Sequence, residues 1–184
     1  MSNSNYLLIN GSPNKQGHSM TFAQTVFDYL PLNVMHAYDI NINPCDDCKV
    51  CHHKLGCKHK DAMSIVIEHL IEADHLIIVS PIYFGALTDQ LMKIFNRFQQ
   101  LFEAKFTHQK PVTTFKTITL LSTAAATDKM FDGAKLTLSI LKSLFDAKKT
   151  FFYGLTDTDT ITDIRIAYKD KLSTIKSTLK KELI

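Results

Sequence analysis

The sequence predicts a doubly wound α/β domain, a parallel sheet with helices on both faces. Three observations predict it. Short apolar runs alternate with stretches of helical period along the chain. Leu76-Ile77-Ile78-Val79 is apolar without polar alternation, as a parallel strand covered on both faces must be. A length of 184 residues, 45% of them apolar and 21% charged, suits one domain around its own core.

Tyr6 to Ile9 forms the first buried strand, stopped by the turn signal Asn10-Gly11-Ser12-Pro13. Ala23, Val26, Phe27 and Leu30 then recur at the spacing of one helix face, which Pro31 ends. Val34 to Ile40 is the second strand and leads into a cysteine-bearing segment. Met63, Val66, Ile67, Leu70 and Ile71 mark the second helix, and Leu76 to Val79 the central strand. Leu87, Leu91, Phe95, Phe98 and Phe102 mark a third helix, followed by a strand over Thr117 to Ser122. Ala134, Leu138, Leu141 and Phe145 give the fourth helix, and Thr150 to Tyr153 the fifth strand. From Asp163 onward, Ile164, Tyr168, Leu172, Ile175 and Leu179 share one face of a last helix. Its final turns carry lysines, where the helix dipole favours cations. Parallel neighbours need crossovers of a dozen or more residues, which these helices supply.

The net charge of +3 is scattered and too small to argue for nucleic acid. No apolar run approaches the roughly 18 residues of a membrane span. The start, Met1 to Ile9, has neither the basic head nor the apolar length of a secretory signal. A cytoplasmic protein with reduced thiols is therefore expected. Its four cysteines all fall between Cys45 and Cys57, which is no framework for stapling distant loops and points to metal or redox chemistry.

In a doubly wound sheet, ligands bind beyond the carboxyl ends of the strands near the switch in strand order. The loops after the first, third and fourth strands are therefore the place for a site, and the cysteine segment is expected to open on the same edge. Between the first strand and helix, Gly11 to Ser19 matches neither a Walker loop nor a G-x-G-x-x-G fingerprint. It still has the parts for one phosphate: the Ser12 and Ser19 hydroxyls, and free amides of the first helical turn near Met20 and Thr21. The competing reading is a plain loop with Ser19 as helix cap. After the central strand, Ser80-Pro81-Ile82-Tyr83-Phe84-Gly85 combines a fixed backbone, a permissive glycine and two aromatics suited to a flat ring, or simply to capping the core. Cys45-x2-Cys48-x2-Cys51-x5-Cys57 can converge on a soft metal centre, a cubane cluster or an all-thiolate zinc, or remain free thiols. His52, His53 and His59 lie in or beside that window.

Asn10-Gly11-Ser12-Pro13 with Gly17-x-Ser19, Pro44 with the four cysteines and Gly56, Asp61-Ala62-Met63, Ala73-Asp74 and Ser80 to Phe84 together resemble the NAD(P)H-dependent FMN reductase family of flavodoxin-like proteins. Within it, the chain is similar to the iron-sulfur flavoprotein branch. The resemblance implies a five-stranded parallel sheet in the order 2-1-3-4-5 and one FMN-binding domain over residues 1–184, with the cysteine loop 44–60 inserted after the second strand. It implies that Ser12, Ser19 and the Met20 amide hold the FMN phosphate, lined by Asn14 and His18. Pro81, Ile82, Tyr83 and Phe84 would border the isoalloxazine and ribityl, with Thr123 and Ala124 closing the other side. Cys45, Cys48, Cys51 and Cys57 would hold a four-iron, four-sulfide cluster. The chain departs from the family pattern in four places. The family often has Arg or Lys where Asn14 stands, Gly where Asp47 stands, Asp-Arg where Asn96-Arg97 stands, and glycine near Ala124 and Ala125.

The function this implies is an FMN-dependent oxidoreductase that moves electrons from NAD(P)H to a quinone, a nitro or azo compound or a protein acceptor. A cluster, where the cysteines hold one, would give a one-electron exit. No side chain stands out as acid, base or nucleophile, so the catalytic residues are left unassigned. The alternatives are a flavodoxin-like electron carrier or redox sensor, and a flavin reductase with structural zinc. A homodimer is expected from the resemblance, and Phe95, Phe98 and Phe102 supply apolar surface for it.

Overall fold

The computed structural model describes residues 4–184, so Met1, Ser2 and Asn3 of the leader argument lie outside the described residues. Strand β1 spans Tyr6–Asn10, β2 Leu32–His36, β3 His75–Tyr83, β4 Ala86–Leu87, β5 Thr117–Thr123 and β6 Lys149–Leu155. Five of them form a parallel sheet in the order β2-β1-β3-β5-β6, and the two-residue β4 pairs antiparallel with the end of β3. Counting only the parallel strands, this is the expected order 2-1-3-4-5. The switch lies between β1 and β3, whose register runs from Tyr6 opposite His75 to Asn10 opposite Val79.

Helices α1 (His18–Val26), α2 (Val50–His53), α3 (Met63–Glu72), α4 (Asp89–Arg97), α5 (Gln99–Phe102), α6 (Asp132–Leu144), α7 (Ile164–Ala167) and α8 (Lys169–Leu183) connect the strands. Alternation along β1 divides the core in two. Leu7 and Ile9 face the α3, α4 and α6 side, while Tyr6 and Leu8 face α1 and α8. Periodicity located most of the buried faces: Met63, Val66 and Leu70 of α3 and Leu172, Ile175 and Leu179 of α8 are all under 5% exposed, but Ile71, expected on the same face of α3, is 64% exposed.

The structure differs from the expected boundaries in several places. α1 ends at Val26, before Pro31. β2 ends at His36, and Ala37–Asp39 continue as a 3-10 turn. The expected third helix begins with Leu87 in β4 and breaks at Phe98 into α4 and α5. A π turn over Glu103–Thr107 follows, which a 3.6-residue period cannot signal. The last helix is interrupted at Tyr168. Phe95 and Phe98 are buried in the core, so they supply no surface for a dimer; Phe102 and, beyond it, Phe106 are the exposed aromatics of that edge. Among the described residues no helix is long and apolar enough to cross a membrane.

Candidate functional site

The loop after β1 is built from short side-chain turns. Asn10 Oδ1 accepts from the Ser12 amide at 2.9 Å, Ser12 Oγ from the Asn14 amide at 3.2 Å and Asn14 Oδ1 from the Gln16 amide at 3.0 Å. The chain then enters α1 with Gly17 as the cap residue. Glycine has no side chain, so the first amides of α1 receive no side-chain cap. Ser19 is not the cap: its hydroxyl pairs with the Thr123 hydroxyl at 2.7 Å, tying α1 to the end of β5. Gly11 and Thr88 lock the neighbouring loops together, with the Gly11 amide donating to Val79 O at 2.7 Å and the Thr88 hydroxyl to Gly11 O at 2.6 Å.

These uncapped amides open on a cavity of about 800 Å³ at the carboxyl edge of the sheet. One wall is Pro81, Ile82, Tyr83 and Phe84, at the end of β3 and in its turn to β4. Phe84 and Gly85 have φ of 51° and 75°, the signs of a type I′ turn, which Gly85 adopts freely and Phe84 only with strain. Phe84 is fully exposed and Tyr83 half-exposed, so these aromatics do not cap the core; they stand over the cavity. The opposite wall is Thr123, Ala124 and Ala125 after β5.

Of the residues expected at a flavin site, Ser12, Asn14, His18, Ser19, Pro81, Ile82, Tyr83, Phe84, Thr123 and Ala124 all line this cavity. Met20 does not: its side chain is 5% exposed in the α1 core, which leaves only its amide for a ligand. Sequence reasoning missed the third wall, Thr158, Asp159, Thr162, Asp163 and Arg165. Thr158 pins that segment by donating its amide and its hydroxyl to Ala124 O, each at 3.1 Å. The Thr- and Asp-rich run after the fifth strand was its available signal, because loops at that edge converge.

The cysteines lie elsewhere. The chain after β2 runs down the side of α4 and leaves the edge it was expected to share. The Tyr38 hydroxyl donates to Asp89 Oδ1, Gln90 Nε2 to Ile40 O, and Arg97 Nη1 to Asn43 O at 2.7 Å. Asp89 and Arg97 are the two ends of α4, about 12 Å apart along its axis at 1.5 Å per residue. Cys45, Cys48, Cys51 and Cys57 therefore sit toward the far end of α4, around a cavity of about 30 Å³ that shares no lining residue with the large one. None is in a disulfide. Asp47 and Lys49 of this loop have φ of 53° and 58°, a left-handed backbone that glycine adopts more freely.

The loop is clamped at both ends by one buried ion pair. Arg97 donates to Asp61 through Nη1 at 2.8 Å and Nη2 at 3.2 Å, while the Asn43 and Met63 amides donate to the same carboxylate. Burial works to raise the Asp61 carboxyl, but Arg97 and the two amides outweigh it and hold it well below the usual carboxylate range. Burial alone would lower the Arg97 pKa; Asp61 and the nearby Cys57 sulfur raise it. The Cys51 thiol is pushed up, first by burial and then by Glu103. On residues lining the small cavity, buried Arg97 Nε makes no hydrogen bond among the described residues, and buried His59 Nε2 has only Asp46 Oδ1 at 3.5 Å. Among the described residues no three His, Cys, Asp or Glu side chains converge closely enough for a single metal ion.

Known proteins share this fold. An NAD(P)H:quinone oxidoreductase from Methanothermobacter marburgensis shares the fold at a TM-score of 0.69 and 14% identity, over 96% of this chain and 95% of that one. An FMN-dependent NADH-azoreductase from Bacillus anthracis, solved with FMN, does so at 0.67 and 11%, over 97% and 99%. An iron-sulfur flavoprotein from Archaeoglobus fulgidus is 33% identical over 95 residues, 50% of this chain and 47% of the relative. The chain spans about half the length of the curated relatives it matches best in coverage. The profile described as NADPH-dependent FMN reductase matches residues 5–147, which takes in β1, the switch, the Pro81–Phe84 wall and the cysteine loop, and the chain belongs to that family.

Proposed function

We propose that the large cavity binds FMN and that the protein uses it to pass electrons from NADH or NADPH to a quinone, a nitro or azo compound or a protein acceptor. The observation that carries this reading is the uncapped N-terminus of α1, whose amides open on a cavity of about 800 Å³. Such a terminus is an anion site, and the cavity falls in the range of cofactor pockets. The Ser12 and Ser19 hydroxyls add donors beside it, and the Pro81–Phe84 and Thr123–Ala124 walls leave a slot for a flat ring.

When bound, FMN supplies hydride acceptance and electron return, chemistry that no side chain provides. The protein's part is positional. Pro81 fixes the wall, the exposed Phe84 ring covers the slot against water, and the Ser19–Thr123 hydroxyl pair holds the two sides of the cavity at a set distance. Flavin released by heat and identified by chromatography should be FMN; FAD, or no flavin after reconstitution, would sink the reading. Ser12→Ala and Ser19→Ala should each weaken FMN binding by about 1.5 to 3 kcal/mol, the usual loss of a hydrogen bond to a charged group. Bound FMN without nicotinamide oxidation in the presence of a quinone would instead indicate an electron carrier.

We also propose that Cys45, Cys48, Cys51 and Cys57 hold a four-iron cluster. The donor set fits: four cysteines border one cavity, and the Arg97 guanidinium lies beside it, close enough to Cys57 to interact with its sulfur. Cys45, Cys48, Cys51 and Cys57 would hold the cluster, which when bound would supply one-electron transfer. Anaerobic reconstitution with iron and sulfide should give about four irons per chain, lost in Cys48→Ser. Stoichiometric zinc with no iron uptake would count against the cluster.

A further inference from the structure

We propose that Arg165 supplies the positive charge for the FMN 5′-phosphate, in place of a cation on the loop after β1. This assignment rests on the FMN site proposed above and names its missing part. A phosphate monoester carries between one and two negative charges at neutral pH, while a helix N-terminus offers only about half a charge in return. The loop itself brings no cation to the cavity. Asn14 is uncharged, and the adjacent Lys15 is paired with Asp39 at 2.5 Å. Among the residues lining the cavity, Arg165 is the only Lys or Arg, and the carboxylates Asp159 and Asp163 line it as well, so a bound phosphate needs the free side of that guanidinium.

Its placement is fixed by the third wall. α7 packs on α1, and Asp163 and Arg165 line the cavity together with Gln16, Gly17 and His18. Asp163 accepts from the Arg165 amide at 2.8 Å and from Nε at 3.0 and 3.1 Å, and its Oδ2 accepts from Nη2 at 2.7 Å. That leaves both Nη1 hydrogens and one on Nη2 uncommitted among the described residues, a face able to bind phosphate oxygens in the manner of a guanidinium fork. Asp163 is thereby a positioning residue: it orients the guanidinium, and Arg165 in turn holds the Asp163 carboxyl below its usual range. Both residues lie beyond residue 147, where the family match ends, so this cation is supplied by a part of the chain outside the shared family region.

The test compares FMN with riboflavin, which lacks the phosphate, by fluorescence titration of the apoprotein. Arg165→Met should weaken FMN binding about tenfold, the loss of a charge-assisted hydrogen bond at a partly solvated site, and leave riboflavin affinity unchanged. The Arg165 side chain is 64% exposed, so the fold should tolerate the change, and an unaltered Tm confirms it. Equal weakening of both flavins, or of neither, overturns the assignment. So does a loss confined to NADPH relative to NADH with FMN affinity intact, which would direct Arg165 to the nicotinamide 2′-phosphate. A wild-type protein that binds neither flavin overturns the FMN site and this assignment with it, whereas FMN binding indifferent to Arg165 overturns only the latter.

Discussion

Arg97→Met is expected to destabilise the protein by about 3 to 5 kcal/mol, the cost of leaving a buried ion-pair partner without its counter-charge. The Arg97 and Asp61 side chains are only 1% and 10% exposed, and their pair joins the two ends of the cysteine loop to α4. The measurement is the urea midpoint at neutral pH. A shift with unchanged m-value is expected, and a midpoint within experimental error of wild type would refute the clamp. The pH dependence follows from the direction of the Asp61 shift. Its folded pKa lies below the unfolded value of about 4, so its contribution is complete above that value and is lost as pH falls toward the folded pKa. The deficit of Arg97→Met should therefore shrink in acid, where a neutral Asp61 needs no counter-charge. The double variant Arg97→Met, Asp61→Asn should be more stable than the sum of the two single losses, since each single change strands the other partner.

Gly133→Ala should lower stability by about 2 kcal/mol, within the usual cost of overpacking, and so reduce Tm by roughly 4 to 8 °C. A Cβ at position 133 in α6 would lie 2.4 Å from the Gly85 carbonyl oxygen, a backbone atom that cannot rotate aside. Gly85 is the second residue of the turn that carries Tyr83 and Phe84, so relief of the clash displaces one wall of the cavity. Weaker FMN binding is expected alongside the fall in Tm. An unchanged Tm together with unchanged flavin affinity would show that α6 and the turn do not meet this closely in solution.

Much of the large cavity was legible because its parts are local. A strand stopped by Asn10-Gly11-Ser12-Pro13, a glycine before a helix and a Pro-aromatic-Gly turn each announce their backbone in a few residues, and the doubly wound order places all of them at one edge. Less legible was what depends on the direction in which a loop travels. Nothing within residues 37–62 states that the chain descends along α4; Tyr38, Gln90, Asn43 and Arg97 decide it through partners distant in sequence. Arg97 itself looks like an ordinary charge in the last turn of a helix, and only the approach of Asp61 makes it a buried clamp.

By itself the sequence determined the alternation of strands and helices and most of their buried faces, because burial on one face or two writes a period into the chain, while the strand order came from the resemblance. Leu76–Val79, Met63-Val66-Leu70 and Leu172-Ile175-Leu179 carry that period unmistakably. Only the tertiary structure decided where α4 breaks, how far the cysteines lie from the large cavity, and that residues 158–165 close its third wall. Those outcomes are settled by which distant groups satisfy one another's hydrogen bonds and charges, as Thr158 does on Ala124 and Asp163 on Arg165, and pairings of that kind leave no periodic trace in a sequence.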